Sequence, residues 1–343
     1  MIRRSQARST HLRSTLHPQP GVVLYLSVNF SPKSRLRIAA IGFLNPAPLM
    51  WDFEHPPLNA RLAFSYHIDR MSPSECAARL SAGTADIGLI PIAALATTPG
   101  LRILPGCTIA SKGRVRSLLL VRRASQRLHA LRNVAADMAS RTTLAHARIL
   151  FRHWNNPNVP FLPARADLDS MLQRADAAIL IGDPALLALE ERSNRFVRTG
   201  EELVYHDIAE EWHTLTGLPY VSAVWAYAPM SLGASGASHL GTGDSTIAED
   251  FIQSRDHGLQ NIDALVAEWS SRIAIPEQTI RAYLTTNIHY ILDDECLEAM
   301  KVFFRMATQA GALPEYTFPV PDLFPNSKSA YMQKGRFPKE PAR

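Results

Sequence analysis

Asn45, Ser117 and the run Ser140-Arg141-Thr142-Thr143 are hydrogen-bonding residues that stand where apolar segments end or helices begin. Asn45 follows an apolar stretch at 36–42 that reads as a strand, and ligands of open α/β sheets sit at the carboxyl ends of such strands. An ordinary turn asparagine before Pro46 explains the same residue. Ser117 joins the stretch 107–116, read as small, polar or basic, to the apolar run 118–121. That stretch, with Ser111 and Arg116, forms a rim able to receive an anion, although a serine at a strand start is also commonplace. Ser140 reads as the N-cap of a helix whose first turn carries Arg141, Thr142 and Thr143. Free amides, hydroxyls and the helix dipole converge there on any carboxylate or phosphate, and capping without a ligand fits equally. Gly182-Asp183-Pro184 opens another helix after a strand at 177–181, with Asp183 as its cap and Pro184 in its first position. The chemistry this set supports is the holding of an anionic ligand by neutral and cationic donors.

No pair of carboxylates and no histidine accompanies these positions as an evident acid or base. His206 and His213 are seven residues apart and lack the His-Glu-x-x-His pattern, so no metal site is expected. Residues 231–246 are rich in Gly, Ser and Thr and read as a surface loop, with no phosphate-cradling glycine motif.

The elements that must position these residues are read from caps and breakers. Ser72 caps a helix, Pro73 takes its first position, Glu75 completes a capping box and Gly83 stops it. Residues 86–90 then form a short apolar strand covered on both faces, closed by Pro91. A short helix follows at 91–98, and a strand at 221–228 precedes helices expected at 247–271, 276–292 and 294–310. At 343 residues and 46% apolar content, the chain exceeds the size at which one core stops growing, so two lobes are expected. The chain leaves the first lobe near 117–121 and returns near 221–228, which makes two crossings with a cleft between them. Domain bounds follow: 1–34 as a basic extension, 35–119 with 224–320 as lobe 1, 120–223 as lobe 2, and 321–343 as a Pro-rich tail.

The net charge of +5 is concentrated at one end. Arg3, Arg4, Arg8, Arg13, Lys33, Arg35 and Arg37 carry it with no acid among them, leaving the remainder at −2. Nucleic-acid binding by the folded part is therefore not expected. The basic segment resembles a leader, but Pro18 and Pro20 precede its apolar run and no small-x-small cleavage site follows cleanly, which favours a disordered extension or an upstream start codon. No other apolar run approaches the ~20 residues of a membrane span. Cys76, Cys107 and Cys296 are odd in number and widely spaced, as for buried thiols in a reducing cytoplasm.

Several stretches together resemble the chorismate dehydratase family of the futalosine route to menaquinone. They are Phe43-Leu44-Asn45-Pro46-Ala47-Pro48-Leu49, Pro73-Ser74-Glu75-Cys76, Asp86-Ile87-Gly88-Leu89-Ile90-Pro91, Ile109-Ala110-Ser111-Lys112-Gly113-Arg114-Val115-Arg116-Ser117 and Ser140-Arg141-Thr142-Thr143. Ile181-Gly182-Asp183, the run from Glu211-Trp212 to Leu218-Pro219, and Asn287-Ile288-His289-Tyr290 continue the match. Pro46, Lys112 and Arg114 depart from the family pattern. The resemblance implies a two-lobed α/β fold of the type II periplasmic-binding-protein kind with a ligand cleft between the lobes. It implies loss of water from chorismate to give 3-[(1-carboxyvinyl)oxy]benzoate, without cofactor or metal, in the cytoplasm. Asn45 and Ser117 are the expected catalytic residues. Ser111, Arg116, Ser140, Arg141, Thr142, Thr143, Gly182 and Asp183 are the expected substrate-binding set. The alternatives are a solute-binding protein for an aromatic carboxylate and the sister enzyme that makes a dihydroxynaphthoate.

Overall fold

The computed structural model describes residues 35–229 and 247–318. The basic extension, the 231–246 loop and the Pro-rich tail lie outside the described residues. The strands are β1 (Leu36–Ile41), β2 (Tyr66–Met71), β3 (Ile87–Pro91), β4 (Arg102–Ser111), β5 (Leu118–Arg123), β6 (Val134–Asp137), β7 (Phe161–Ala164), β8 (Ala177–Ile181), β9 (Leu203–Asp207), β10 (Tyr220–Tyr227) and β11 (His289–Ile291). The helices are α1 (Trp51–Glu54), α2 (Pro73–Ser81), α3 (Ala93–Thr97), α4 (Arg141–His153), α5 (Leu168–Arg174), α6 (Asp183–Glu190), α7 (Arg192–Thr199), α8 (Ile208–Thr216), α9 (Ile247–Gln260), α10 (Ile262–Ser270), α11 (Glu277–Ala282) and α12 (Asp294–Gln309).

Two sheets result. The first has the order β11-β4-β10-β3-β1-β2 and the second β7-β6-β8-β5-β9. In the first, β1 pairs in parallel with β2 and β3, whereas β10 runs antiparallel to β3 and β4. In the second, β6 is parallel to β7 and β8, and β5 lies antiparallel between β8 and β9. The chain passes from the first sheet to the second between β4 and β5, and back between β9 and β10. Side chains alternate in β5 as a two-residue repeat requires. Leu118 and Leu120 join the main core shared with the first sheet, while Leu119 and Val121 pack a smaller cluster on the far face.

Helix α2 follows its sequence signals closely. Ser72 Oγ accepts from Glu75 N at 3.4 Å, and the Glu75 carboxylate accepts from Ser72 N at 2.9 Å. Three expectations are corrected. The helix expected over 247–271 divides at Asn261, whose amide Nδ2 donates to the His257 carbonyl at 2.8 Å and competes with the helix's own ladder. The helix expected over 276–292 ends at Ala282, opens into a one-turn π-helix over Tyr283–Asn287 and finishes as strand β11. The stretch from residue 107, expected as a rim, is strand as far as Ser111: β4 begins at Arg102, and Pro105 and Gly106 hide it because its ladder with β10 skips residues 104–107.

The turn after β1 is held from behind by α9. Ser254 Oγ donates to the Leu49 carbonyl at 2.9 Å and accepts from Asp52 N at 3.0 Å. Gly258 permits the approach: a Cβ there would stand 2.1 Å from the Pro48 carbonyl oxygen. Backbone on both sides cannot retreat, so Gly258→Ala is expected to lower stability by about 1–3 kcal/mol as an overpacked site does. Urea unfolding of the variant checks this, and an unchanged midpoint would contradict it.

Candidate functional site

Asn45 sits in the turn that follows β1. Its Oδ1 is buried and has no hydrogen-bond partner, which is uncommon for a buried acceptor and costs about 1–3 kcal/mol. Ser117 ends the first crossing, immediately before β5, and is fully buried. The phenol of Tyr283, also fully buried, donates to Ser117 Oγ at 2.8 Å. The Asn45 side chain interacts with the same phenol, so Asn45 and Ser117, 72 positions apart in sequence, meet through Tyr283. Burial holds the Tyr283 hydroxyl far above the ordinary tyrosine value, and it stays protonated as a donor.

The lobes are closed over this cluster. Leu44 N donates to Asp183 Oδ1 at 2.9 Å, and Ala93 N donates to Thr142 Oγ1 at 3.2 Å. The Phe43 ring lies on Gly182, whose backbone is at φ 63°, ψ −145°. Between them is a cavity of about 20 Å³ lined by Asn45, Ser140, Ser222, Gly182 and a shell of apolar side chains including Ile41, Phe43 and Ile181. That is room for about one water, against the roughly 300 Å³ of a small ligand pocket. Entry of a substrate therefore requires the lobes to part. Among the described residues, the cavity lining contains no carboxylate, imidazole, amine or thiol.

The crossings that must flex are tied to each other. The Asp207 carboxylate accepts from Arg116 N at 2.6 Å in the first crossing while capping α8 through Ala209 N and Glu210 N in the second. Arg114 pairs with Glu210 at 2.8 Å beside it.

The remaining expected residues take varied places. Ser140 caps α4, and its oxygen accepts from Thr143 N at 3.3 Å and Thr143 Oγ1 at 3.0 Å. With both lone pairs engaged, its own hydrogen is left to donate, and Ser140 lines the cavity. Thr143 also accepts from the Tyr220 hydroxyl at 3.3 Å. Arg141 is exposed and reaches Thr97 Oγ1 at 3.4 Å. Ser111 donates to the Gly113 carbonyl at 3.0 Å. Arg116 turns its guanidinium to Glu190 at 2.5 Å, away from the cavity. Asp183, expected as the cap of α6, is instead that helix's first residue with Gly182 at the cap, and its carboxylate reaches across to Leu44.

Tyr283 and Ser222 were not foreseen. An aromatic amid helical spacing reads as core, and only the tertiary pairing exposes its polar end. His146, one turn into α4, is stacked on Phe303 and donates its Nδ1 hydrogen to the Thr142 carbonyl at 3.0 Å. Burial pushes its pKa down to about 3, so it is neutral core. His289, Asp293 and Cys296 bring possible ligand atoms within 4.8 Å of one another. Lys112 Nζ already lies 3.1 Å from Asp293 Oδ2, which also meets His289 Nε2 at 2.9 Å, and an ammonium balances that carboxylate. All three cysteines are free and buried. No helix among the described residues is long and apolar enough to cross a membrane.

Burial pushes Asp183 up from 3.8 to about 6. The folded state therefore keeps a proton that the unfolded chain has released, so stability is full below pH 3.8 and declines as pH rises through about 6. Asp183→Asn retains an acceptor for Leu44 N without the charge. The melting temperature of this variant relative to wild type is expected to rise between pH 4 and 6 and then level off; a difference that is flat across this range would contradict the assignment. Pairing the two proteins cancels the opposite acid-side contribution of His146.

Comparison with known proteins bears on both fold and family. A family model described as menaquinone biosynthesis matches residues 36–309. A protein from Archaeoglobus fulgidus superimposes with a TM-score of 0.60 at 14% identity, over 81% of this chain and 98% of its own. A Candida albicans protein described as exhibiting the generic periplasmic binding protein fold gives 0.58 at 15%, over 83% and 92%. The aliphatic sulphonate binding protein SsuA of Escherichia coli gives 0.56 at 16%, over 83% and 94%. At these identities the likeness is one of fold, and it is the two-lobed binding-protein fold.

Proposed function

The chain belongs to the menaquinone biosynthesis family, and from that premise we propose that it is a chorismate dehydratase acting in the cytoplasm without cofactor. The observation that carries the reading is the composition of the cavity wall. Hydroxyls and an amide face the ligand space, and among the described residues no titratable side chain does. A lyase with such a wall needs its base from elsewhere, and chorismate brings one.

In this reading the substrate's side-chain carboxylate takes the ring proton from the carbon bearing the ether. The C–H electron pair becomes the third double bond of the ring, and the neighbouring C–O bond breaks. The departing hydroxide takes up the transferred proton and leaves as water. Aromatisation makes the step strongly downhill, so the protein has only to fix the reactive conformer and stabilise the leaving oxygen. Asn45 and Ser117 hydrogen-bond that hydroxyl, and Ser140 at the start of α4 offers a donor to a substrate carboxylate. Closure of the lobes excludes water around the developing charge.

Expression of this chain in a bacterium that makes menaquinone by the futalosine route and lacks its own dehydratase tests the reading. Menaquinone is expected to return. A well-expressed protein that restores none would overturn it, and restoration only of a strain blocked at the dihydroxynaphthoate step would identify the sister enzyme instead.

A further inference from the structure

The Ser117 and Asn45 side chains are joined by a residue that the reaction as written does not use. Tyr283 opens the one-turn π-helix Tyr283–Asn287, closed by Ile288 N donating to the Tyr283 carbonyl at 3.2 Å. Such wide turns are rare and concentrate at functional sites. This one grips the first crossing at both of its ends: Tyr283 donates to Ser117 Oγ, and Asn287 Nδ2 donates to the Arg114 carbonyl at 2.9 Å. Tyr283 and Leu284 point inward, while Thr285 and Thr286 are exposed.

The direction of the phenol bond has a consequence. Because Tyr283 gives its hydrogen to Ser117 Oγ, the serine's own hydrogen is free to donate elsewhere. Asn45, which interacts with the same phenol, keeps its Oδ1 as a buried acceptor with no partner, and Asn45 lines the cavity. One spare hydrogen and one spare acceptor, both tied to one phenol, form a complement to a single hydroxyl group, which both donates and accepts. Asn45 lines the closed cavity, whereas Ser117, next in sequence to the lining residue Leu118, does not, so the pair meets one ligand only once the lobes part.

We propose that Tyr283 is a positioning residue that fixes Ser117 as donor and Asn45 as acceptor for the ring hydroxyl that the substrate loses. The proposal rests on the dehydratase reading for the identity of that hydroxyl. The phenol touches neither substrate nor reacting atoms. It sets the rotor of the serine and holds the amide, and the π-turn holds the phenol.

Tyr283→Phe keeps the ring and its packing and removes only the hydroxyl. With chorismate, kcat is expected to fall about 10- to 100-fold, as misplaced groups cost, with KM within about threefold of wild type. In a Ser117→Ala background the same change is expected to cost less than about threefold, since the group it positions is already gone. Unchanged kcat in Tyr283→Phe, or full additivity with Ser117→Ala, overturns the proposal. If wild type does not dehydrate chorismate, the dehydratase reading falls separately, and the positioning is read by proton NMR. The hydroxyl proton of Tyr283, shielded from exchange, is expected as a downfield signal that disappears in Tyr283→Phe and moves upfield in Ser117→Ala. A signal that Ser117→Ala leaves in place overturns the proposal without reference to turnover.

Discussion

Asn45→Ala is expected to fold normally and to lose about 10²-fold in kcat for chorismate, because without the acceptor Oδ1 the departing hydroxyl is no longer held in its reactive orientation. The two roles open to this residue predict different outcomes for stability. A turn asparagine preceding Pro46 would support the backbone, and its loss would lower the melting temperature while sparing turnover. The structure instead leaves its Oδ1 buried and unpaired. That oxygen supports no backbone group, so the variant is expected to melt close to the wild-type temperature. Ser117→Ala is expected to show a comparable loss of kcat. Steady-state kinetics and thermal melting on the same preparations decide the matter, and near-normal turnover in both variants would contradict the assigned roles.

Gly182→Ala is expected to damage both stability and closure, for separable reasons. The backbone at φ 63°, ψ −145° belongs to a region that side chains scarcely enter, at a cost of about 1–3 kcal/mol. A Cβ would also stand 2.6 Å from the Phe43 ring. The ring can swing away, but it then no longer lies on Gly182, and the wall it shares with Asn45 opens to water. Turnover is expected to fall at least about tenfold from the poorer closure. Adding Phe43→Ala removes the collision and leaves the backbone strain. The double variant is therefore expected to be less destabilised than the sum of the two single variants, by the share that the collision contributes, a coupling that a double-mutant cycle resolves. Wild-type stability in Gly182→Ala, measured by urea unfolding, would contradict the account.

What the sequence made legible is what acts over a few residues. The Ser72–Glu75 box, the Gly83 stop, the buried runs of β3, β5 and β8 and the Ser140 cap all depend on neighbours within one or two turns, and all appear where the pattern places them. Strand β4 was obscured by Pro105 and Gly106, and β11 by its continuity with a helical pattern that the π-turn ends. The site is assembled differently. Leu44 meets Asp183 across 139 positions, and Tyr283 meets Ser117 across 166. No local signal separates Asp183 as a helix cap from Asp183 as a bridge between lobes, since both need a carboxylate beside Gly182. The same limit applies to Arg116, whose place in a basic rim is evident but whose engagement by Glu190 is set by the docking of α6. The family resemblance supplied Asn45 and Ser117; it did not supply the phenol that joins them.

The closed, uncharged cleft is expected to dehydrate chorismate. Purified protein incubated with a large excess of chorismate, followed by mass spectrometry, tests it most directly. Many turnovers are expected, to a product lighter by one water and identified as 3-[(1-carboxyvinyl)oxy]benzoate. Chorismate recovered unchanged after binding to the protein would contradict the account and make the cleft that of a solute-binding protein.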